Sequence, residues 1–171
     1  MMMTSNTWFK RAAAFLTAFI FIFWNIFPHA AFAFDVQVTE GDAVISKEGD
    51  ITTVTMNSRA VFEGDTSILA HETVRFIGNN DALLRDMTGS QTNWIGSLLA
   101  EGKIVLVNTQ GVYIAQAANI NVASLIASTL NIQNELFLTN QFSFEKMQGA
   151  NAAEILNQAD IQAADGGYII F

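Results

Sequence analysis

The sequence predicts an all-β protein, and three observations support that prediction. Short runs of β-branched and aromatic residues alternate with polar residues. Asparagine and glycine separate these runs at close intervals, as they do at turns between strands. Helical periodicity is weak beyond the N-terminal segment. With 51% hydrophobic and 14% charged residues among 171, the composition is that of a folded chain and not of a disordered one.

The N-terminal segment, residues 1–33, is predicted to be a signal peptide. A basic pair, Lys10 and Arg11, precedes an uncharged and mostly apolar run over residues 12–24. That run has the length of the hydrophobic region of a secretory signal. His29 follows the run and is not a catalytic candidate, because it would leave with the peptide.

The cleavage site is predicted between Ala33 and Phe34. Ala31 and Ala33 flank one residue and give the small–x–small pattern that a signal peptidase recognises. The alternative is an uncleaved membrane anchor, which needs about 20 predominantly apolar residues. Residues 12–34 reach that length only by burying Asn25, Pro28 and His29. Cleavage is therefore the favoured interpretation, and residues 34–171 are the expected mature domain.

The charge of the chain is unevenly distributed. All 16 acidic residues lie at or after Asp35, whereas two of the eight basic residues precede the apolar run. Removal of residues 1–33 leaves six basic and 16 acidic residues, a formal net charge of −10. Such a surface repels nucleic acid and anionic lipid, so we expect no nucleic-acid partner. The absence of cysteine excludes disulfides, thiolate metal ligands and a cysteine nucleophile.

The predicted strands follow one another closely after residue 34. Each is a short run that is β-branched, alternating or continuously apolar. The runs are residues 36–38, 51–56, 73–77, 104–107, 112–114, 120–122, 130–132, 141–144, 155–156, 160–162 and 168–171.

Two segments have a composition that favours a helix, one through its apolar residues and one through its alanines. Both are nevertheless predicted not to be helical. Residues 123–130 are apolar in part but lack a continuous apolar stripe and clear caps. Residues 150–164 are rich in alanine, which favours helix by propensity. Asn157, Asp160 and a glycine pair divide that segment or follow it closely.

Strands of about 3 to 5 residues are stable only when they stack on one another. One arrangement is a coil of parallel strands in which each turn covers the next. The other is a β-sandwich, which predicts turns about every 8 to 12 residues. The spacing alone leaves both architectures open.

Six stretches follow one another in an order that resembles a known family. Isoleucine-glycine and glycine-lysine pairs lead into a strand–turn–strand unit, and a Gly-Gly-Tyr element comes last. The stretches are residues 60–76, 83–89, 95–103, 104–112, 120–130 and 161–168. In this order and spacing the chain resembles the two-partner secretion domain, or haemagglutination activity domain, of filamentous-haemagglutinin-like exoproteins.

The resemblance implies a right-handed parallel β-helix with N-terminal capping strands over residues 34–171. Family members continue beyond the Gly-Gly-Tyr element, whereas this sequence stops at Phe171. The resemblance therefore leads us to expect a β-helix truncated at its C-terminal end, as a fragment, a truncated gene product or a short member.

The resemblance also implies a function, which is to target an adhesin-like exoprotein for secretion and to nucleate its folding. The implied partners are the general secretion machinery and an outer-membrane β-barrel transporter of a Gram-negative cell. The implied location is the medium or the cell surface, reached through the periplasm, where host-cell or surface ligands are a further class of partner. Neither enzymatic activity nor a cofactor is expected.

Candidate transporter-recognition residues come from the family motifs alone. They are Asn108, Thr109, Gln110, Gly111, Leu84 and Arg85. A purely structural turn at residues 108–111 is an equally good interpretation. Asn108, Asn121, Asn131 and Asn157 are all expected at turn-like positions.

The sequence departs from the family pattern at two places. Gly64 stands where the family has tryptophan, and the Asn-Pro-Asn-Gly turn is Asn-Thr-Gln-Gly here. The proline ring would fix the backbone φ angle, and Thr109 does not, so we expect a less rigid turn. Gly111 is retained, as expected where φ is positive.

Two alternative functions remain open. One is a short, self-contained extracellular structural or adhesive β-helix. The other is a polysaccharide-acting enzyme, which needs carboxylates clustered on one face of the coil. The acids are instead scattered, and Gly41-Asp42 and Gly64-Asp65 are expected in solvated loops. His71 and Glu72 are expected to form a surface pair.

Overall fold

The computed structural model describes residues 33–148 and 153–171. All of them belong to the second of two units of the chain, residues 32–171. Within the described ranges no helix is long and apolar enough to span a membrane. The elements are β1 (Asp35–Glu40), β2 (Ala43–Glu48), β3 (Ile51–Met56), β4 (Ala60–Asp65), β5 (Thr73–Ile77), β6 (Ala82–Asp86), β7 (Thr92–Trp94), β8 (Ser97–Val107), β9 (Val112–Ile114), β10 (Asn119–Ser128), β11 (Asn131–Ile132), α1 (Asn134–Leu138), β12 (Phe144–Glu145), β13 (Ile155–Asn157), β14 (Ile161–Ala163) and β15 (Ile169–Ile170).

Parallel strands stack into three faces of a coil. The first face holds β3, β5, the start of β8, the start of β10 and β14. The second holds β4, β6, the ends of β8 and β10, and β15, and the third holds β7, β9 and β13. Ile51, Thr73, Ser97 and Asn119 are in register on successive turns. The fold is therefore a parallel β-helix of about four turns.

Inward-pointing side chains form one continuous core along the coil. Val74, Leu98 and Ile120 lie in register on the first face, and each is at most 1% exposed. Trp94 on the third face is fully buried, and its indole N–H donates to the Thr66 carbonyl at 2.8 Å. Successive side chains of a strand point to opposite sides, so alternation in the sequence marks these strands correctly.

Two antiparallel strands cap the N-terminal end of the coil. β1 pairs with β4, and β2 pairs with β3. The ring of Phe76 packs edge-to-face against Phe34 at 6.3 Å and Phe62 at 5.7 Å between centroids. The predicted all-β parallel β-helix with N-terminal capping strands is confirmed, and the β-sandwich alternative is wrong.

The two central strands are longer than the short strands that the sequence predicts. β8 has 11 residues and β10 has 10, and each runs across two faces of the coil. The register between them shifts from Val122 opposite Ala100 to Ser124 opposite Lys103. A bulge therefore turns the corner inside the ladder, and hydrogen bonding continues without an intervening loop.

A flap, residues 129–148, leaves the coil after β10 and covers the outside of the second face. Its Ile132 and Phe137 pack with outward-pointing residues of the coil in a second apolar cluster. The coil residues of that cluster are Val61, Leu83, Val105, Val107 and Ile126. Because the second face is buried on both sides, residues 104–107 are apolar without interruption, as is usual for such strands.

Secondary structure in and near the flap agrees with the sequence prediction in two segments and differs from it in two others. Residues 123–130 lie largely in β10, and the described part of the alanine-rich segment, residues 153–164, contributes β13 and β14, so neither of these described stretches is helical, as predicted. The short helix α1 was not predicted. Of residues 141–144, only Phe144 belongs to a strand.

Contacts from charged side chains hold the flap against the coil. Arg59 donates to the Phe137 carbonyl at 2.9 Å and pairs with Asp81 at 2.7 Å. The Lys103 ammonium lies 4.4 Å from the centre of the Phe142 ring, a cation–π distance.

The predicted loop at Gly64-Asp65 is wrong, because both residues lie in β4. Gly64 has φ of 148°, and a Cβ placed there would lie 2.2 Å from the Asp35 carbonyl oxygen. A side chain, tryptophan included, cannot occupy this position while β1 pairs with β4. Gly41 and Asp42 do lie in the turn between β1 and β2.

Candidate functional site

The turn between β8 and β9 is closed by Asn108. Its carbonyl accepts the Gly111 N–H at 3.1 Å, and its side-chain oxygen accepts the Gln110 N–H at 2.7 Å. Gly111 has φ of 108°, so the predicted positive φ is confirmed. Gln110 at the tip is exposed, and Thr109 is partly exposed.

The Asn108 amide anchors this turn to the preceding turn of the coil. Its Nδ2 donates to the Ser90 carbonyl and to the Thr92 hydroxyl, both at 2.8 Å. Asn108 is only 2% exposed, so its side chain positions the turn and offers no surface to a partner. These hydrogen bonds restrain a turn that lacks the family's proline.

Asp86 lies at the centre of the adjoining polar network. Its Oδ2 accepts the Thr92 and Thr66 hydroxyls at 2.7 and 2.8 Å, and also the Thr66 N–H at 3.2 Å. Its Oδ1 accepts the Thr88 hydroxyl at 2.6 Å and the Thr88 N–H at 3.0 Å. Burial alone would raise the pKa of Asp86, but the hydrogen bonds from Thr88, Thr92 and Thr66 outweigh it. The pKa of Asp86 therefore lies below its ordinary value, and the carboxylate is ionised at neutral pH.

Arg85 connects the coil to the start of the flap. Its guanidinium donates to the Asn131 side chain, to the Ile132 carbonyl at 2.8 Å and to the Asn134 side chain at 2.6 Å. Its Nε lies 3.5 Å from a carboxylate oxygen of Glu63 on the preceding turn of the coil. Arg85 is thus a bridge between the flap and the second face.

A surface groove of about 340 Å³ joins these elements. Thr109, Gln110, Arg85 and Asp86 all line it. Two exposed methionines, Met87 and Met147, border the same groove. The structure therefore brings Arg85 together with residues 108–110, although they belong to different turns of the coil.

The other predicted site residues lie elsewhere. Leu84 is fully buried and points into the core of the coil. Phe34 is 1% exposed against Phe76, and Ala33 donates its N–H to a Glu72 carboxylate oxygen at 3.0 Å. Ala31 lies outside the described residues. Leu84 therefore supports the fold, and Ala33 and Phe34 join the cap.

The remaining candidate polar residues lie in separate places in the described part of the chain. Among the described residues no group of three or more His, Asp or Glu side chains is placed to hold a metal ion. The expected His71–Glu72 surface pair is wrong, because Glu72 is 3% exposed while His71 faces solvent near Asp50. Asn121, Asn131 and Asn157 lie within strands, so of the four expected turn-like positions only Asn108 lies between strands. Asn157 is the last residue of β13, and its side-chain oxygen accepts the Ala159 N–H at 3.1 Å.

Sequence reasoning missed Asp86, Thr66 and Thr92. Asp86 followed two residues later by Thr88 is the pattern of a side-chain-capped turn, and it was the available signal. Thr66 and Thr92 are 26 residues apart, so their meeting becomes visible only when the repeat of the coil is known.

Comparison with known proteins places the fold. No family model matches the chain. The secretion domain of HMW1 from Haemophilus influenzae superposes on 73% of this chain with a TM-score of 0.66 and 28% sequence identity. This chain has the fold of that secretion domain. It corresponds to 35% of the length of the solved chain.

A comparison of sequences also finds a relative that matches part of this chain. A heme/hemopexin-binding protein of Haemophilus influenzae is 37% identical over 62 residues. Those residues are 36% of this chain and 7% of the relative, so the match covers a small part of a much longer protein. Together the two matches confirm the resemblance to two-partner secretion domains.

Proposed function

We propose that this chain is the secretion-targeting and fold-nucleating module of an adhesin-like exoprotein. The observation that carries the proposal is the shared fold with the HMW1 secretion domain at 28% identity over 73% of the chain. In this proposal residues 1–33 are a signal peptide, and residues 34–171 form the module that acts after its removal.

The architecture supports a role in nucleating folding. Each turn of a parallel coil is built on the turn before it, so a closed first turn lowers the barrier to adding the next. β1 and β2 provide that closed start, because they pair with the first strands of two faces. Phe34, Phe62 and Phe76 fill the space behind them.

The proposed partners follow from the export route. The general secretion machinery delivers the chain to the periplasm, and an outer-membrane two-partner transporter recognises it there before the coil folds, when the 108–111 turn can form from its own local hydrogen bonds. The module then reaches the cell surface or the medium, where host-cell or surface ligands are further partners. It is non-catalytic and uses no cofactor. The net charge of −10 after processing favours solubility and opposes binding to nucleic acid.

We place transporter recognition at the tip of the 108–111 turn. Asn108 and Gly111 shape the turn, and Thr109 and Gln110 present side chains to a partner. Arg85 lines the same groove, but its donors hold the flap. Thr109 and Gln110 are therefore the residues to vary when recognition is to be separated from folding.

The double substitution Thr109→Ala and Gln110→Ala tests this placement. With the transporter co-expressed, we expect secretion to fall about tenfold, because a loss of about 1.4 kcal/mol in recognition corresponds to that factor. The matched control is Gln116→Ala with Asn119→Ala, two exposed positions at and just after the turn that follows β9. Mature protein in the medium is quantified, and unfolding of the purified variants is compared.

Equal secretion of the two double variants would contradict the recognition role of the turn. A larger loss of stability in the turn variant than in the control would assign its secretion defect to folding. Neither result depends on Asn108 or Gly111, because both are left in place.

A further inference from the structure

Glu72 is a buried carboxylate beside the first described residue. It is 3% exposed, and its two oxygens accept the Ala33 N–H at 3.0 Å and the Leu69 N–H at 2.7 Å. Within residues 33–148 and 153–171, it forms no ion pair with a basic side chain. A buried carboxylate without a counter-charge is unfavourable, so this position favours a cation.

Phe34 holds the backbone close to that carboxylate. Its ring is 1% exposed against Phe76, and its carbonyl accepts the Lys47 ammonium at 2.9 Å. The nitrogens of consecutive residues are at most about 3.7 Å apart by standard bond lengths. The Phe34 nitrogen therefore lies within about 7 Å of the Glu72 oxygen that accepts the Ala33 N–H.

We propose that Glu72 is the receptor for the α-ammonium group that signal-peptide removal creates at Phe34. A signal peptidase hydrolyses the bond between the Ala33 carbonyl carbon and the Phe34 nitrogen with one water. The water oxygen enters the Ala33 carboxylate, and both water protons go to the Phe34 amine, which becomes an ammonium. The neutral N–H donor of Ala33 leaves with the peptide, and a charged donor replaces it.

The exchange links processing to the stability of the cap. Before cleavage Glu72 has only uncharged donors among the described residues. After cleavage it has a counter-charge on the residue whose ring fills the core behind β1. The first turn of the coil then becomes most stable only once the signal peptide is gone, which suits a chain that must remain unfolded during export.

Other charged groups near this end of the coil are engaged elsewhere. Lys47 lies 3.3 Å from Asp35, and the exposed His71 lies 4.0 Å from Asp50. These four groups are retained in every variant below, so they are common to all samples.

The test uses the processed chain recovered after export. This inference rests on the signal peptide of the proposed function, and intact mass shows whether Phe34 is the first residue. The rate at which an amine-reactive reagent labels the α-amine is measured against pH for the native and denatured chain. We expect the native profile to be shifted to higher pH by about one unit, which is about tenfold slower labelling at a given pH.

Two variants separate ion pairing from simple burial. Glu72→Gln should return the midpoint of the labelling profile to lower pH, because the counter-charge is lost. Glu48→Gln, at an exposed position of the cap, should leave the profile unchanged. If Glu72→Gln does not fold, the labelling profiles of the native and denatured parent chain are compared instead. A shift of the native profile to higher pH then supports the ion pair.

A mature chain that starts at another residue would overturn the proposal. So would a native profile with the same midpoint as the denatured profile, or one that Glu72→Gln leaves in place. The assay does not use passage through the outer membrane. A chain that is processed but held in the periplasm would contradict the secretion role without affecting this test.

Discussion

Replacing Trp94 with alanine should lower the free energy of unfolding by about 3–5 kcal/mol, the usual cost of removing a large buried aromatic side chain. Trp94 is fully buried, and its indole N–H donates to the Thr66 carbonyl at 2.8 Å. It also stacks in register with Ile114 on the next turn of the coil. Alanine would leave a cavity between turns and a buried carbonyl without its donor.

Chemical denaturation of the processed chain measures the effect. Trp94→Phe should cost less, because the ring volume is largely kept while the hydrogen bond to Thr66 is lost. Tyr113→Ala, a partly exposed aromatic on the neighbouring strand, should change the free energy of unfolding by about 1 kcal/mol or less. A Trp94→Ala chain as stable as the Tyr113→Ala chain would contradict the described core.

Replacing Asp86 with alanine should have the second largest effect, about 3 kcal/mol at pH 7, because hydrogen bonds to a charged group contribute about 1.5–3 kcal/mol and are not additive. The substitution removes the acceptor for five hydrogen bonds from Thr66, Thr88 and Thr92. Thr66 and Thr92 are fully buried, so their hydroxyls would lose a charged acceptor inside the protein.

The effect of Asp86 should depend on pH in one direction. Its folded-state pKa is lowered, whereas the unfolded value is about 3.9. The stabilisation is therefore present above about pH 4 and is lost as the pH falls through the folded pKa. Denaturation at several pH values should show the stability gap between the parent and Asp86→Ala narrowing in acid. Asp42→Ala, at an exposed turn, should leave the free energy of unfolding close to that of the parent at each pH. A stability difference between the parent and Asp86→Ala that widens in acid would contradict the hydrogen-bond network around Asp86.

Most strands could be predicted because one of their sides faces water. β3, β5 and β9 match the predicted runs at both ends. β2, β4, β6 and β7 were not among the predicted runs. β4 and β6 begin with three consecutive buried residues, because the flap covers their outer side and removes the alternation. β2 is largely exposed and β7 has three residues, so neither gives a clear pattern.

The repeat of the coil was hidden for two physical reasons. The corners of β8 and β10 are turned by a bulge, so a single glycine, Gly102, is all that marks the boundary between faces in β8. The flap then lengthens one turn of the chain, so that Ile120 and Ile161 are in register although they are far apart in sequence. Without the repeat, contacts between turns could not be foreseen.

The candidate site was predictable only where local turn chemistry decides it. Asn108 and Gly111 were placed correctly because a side-chain cap and a positive φ belong to the turn itself. The role of Leu84 could not be read from a motif, because its inward direction depends on the register of β6 against β4 and β8. Glu72 was misplaced for the same reason, since its burial depends on residues far away in sequence.

The most direct test of the secretion role is export of the full chain from a Gram-negative host with and without a two-partner transporter from the same genome. Mature protein in the medium and in the periplasm is measured in parallel. The proposed function predicts that the mature chain appears in the medium only when the transporter is present, and accumulates in the periplasm without it. Equal amounts in the medium in both strains, or retention in the periplasm in both, would contradict it.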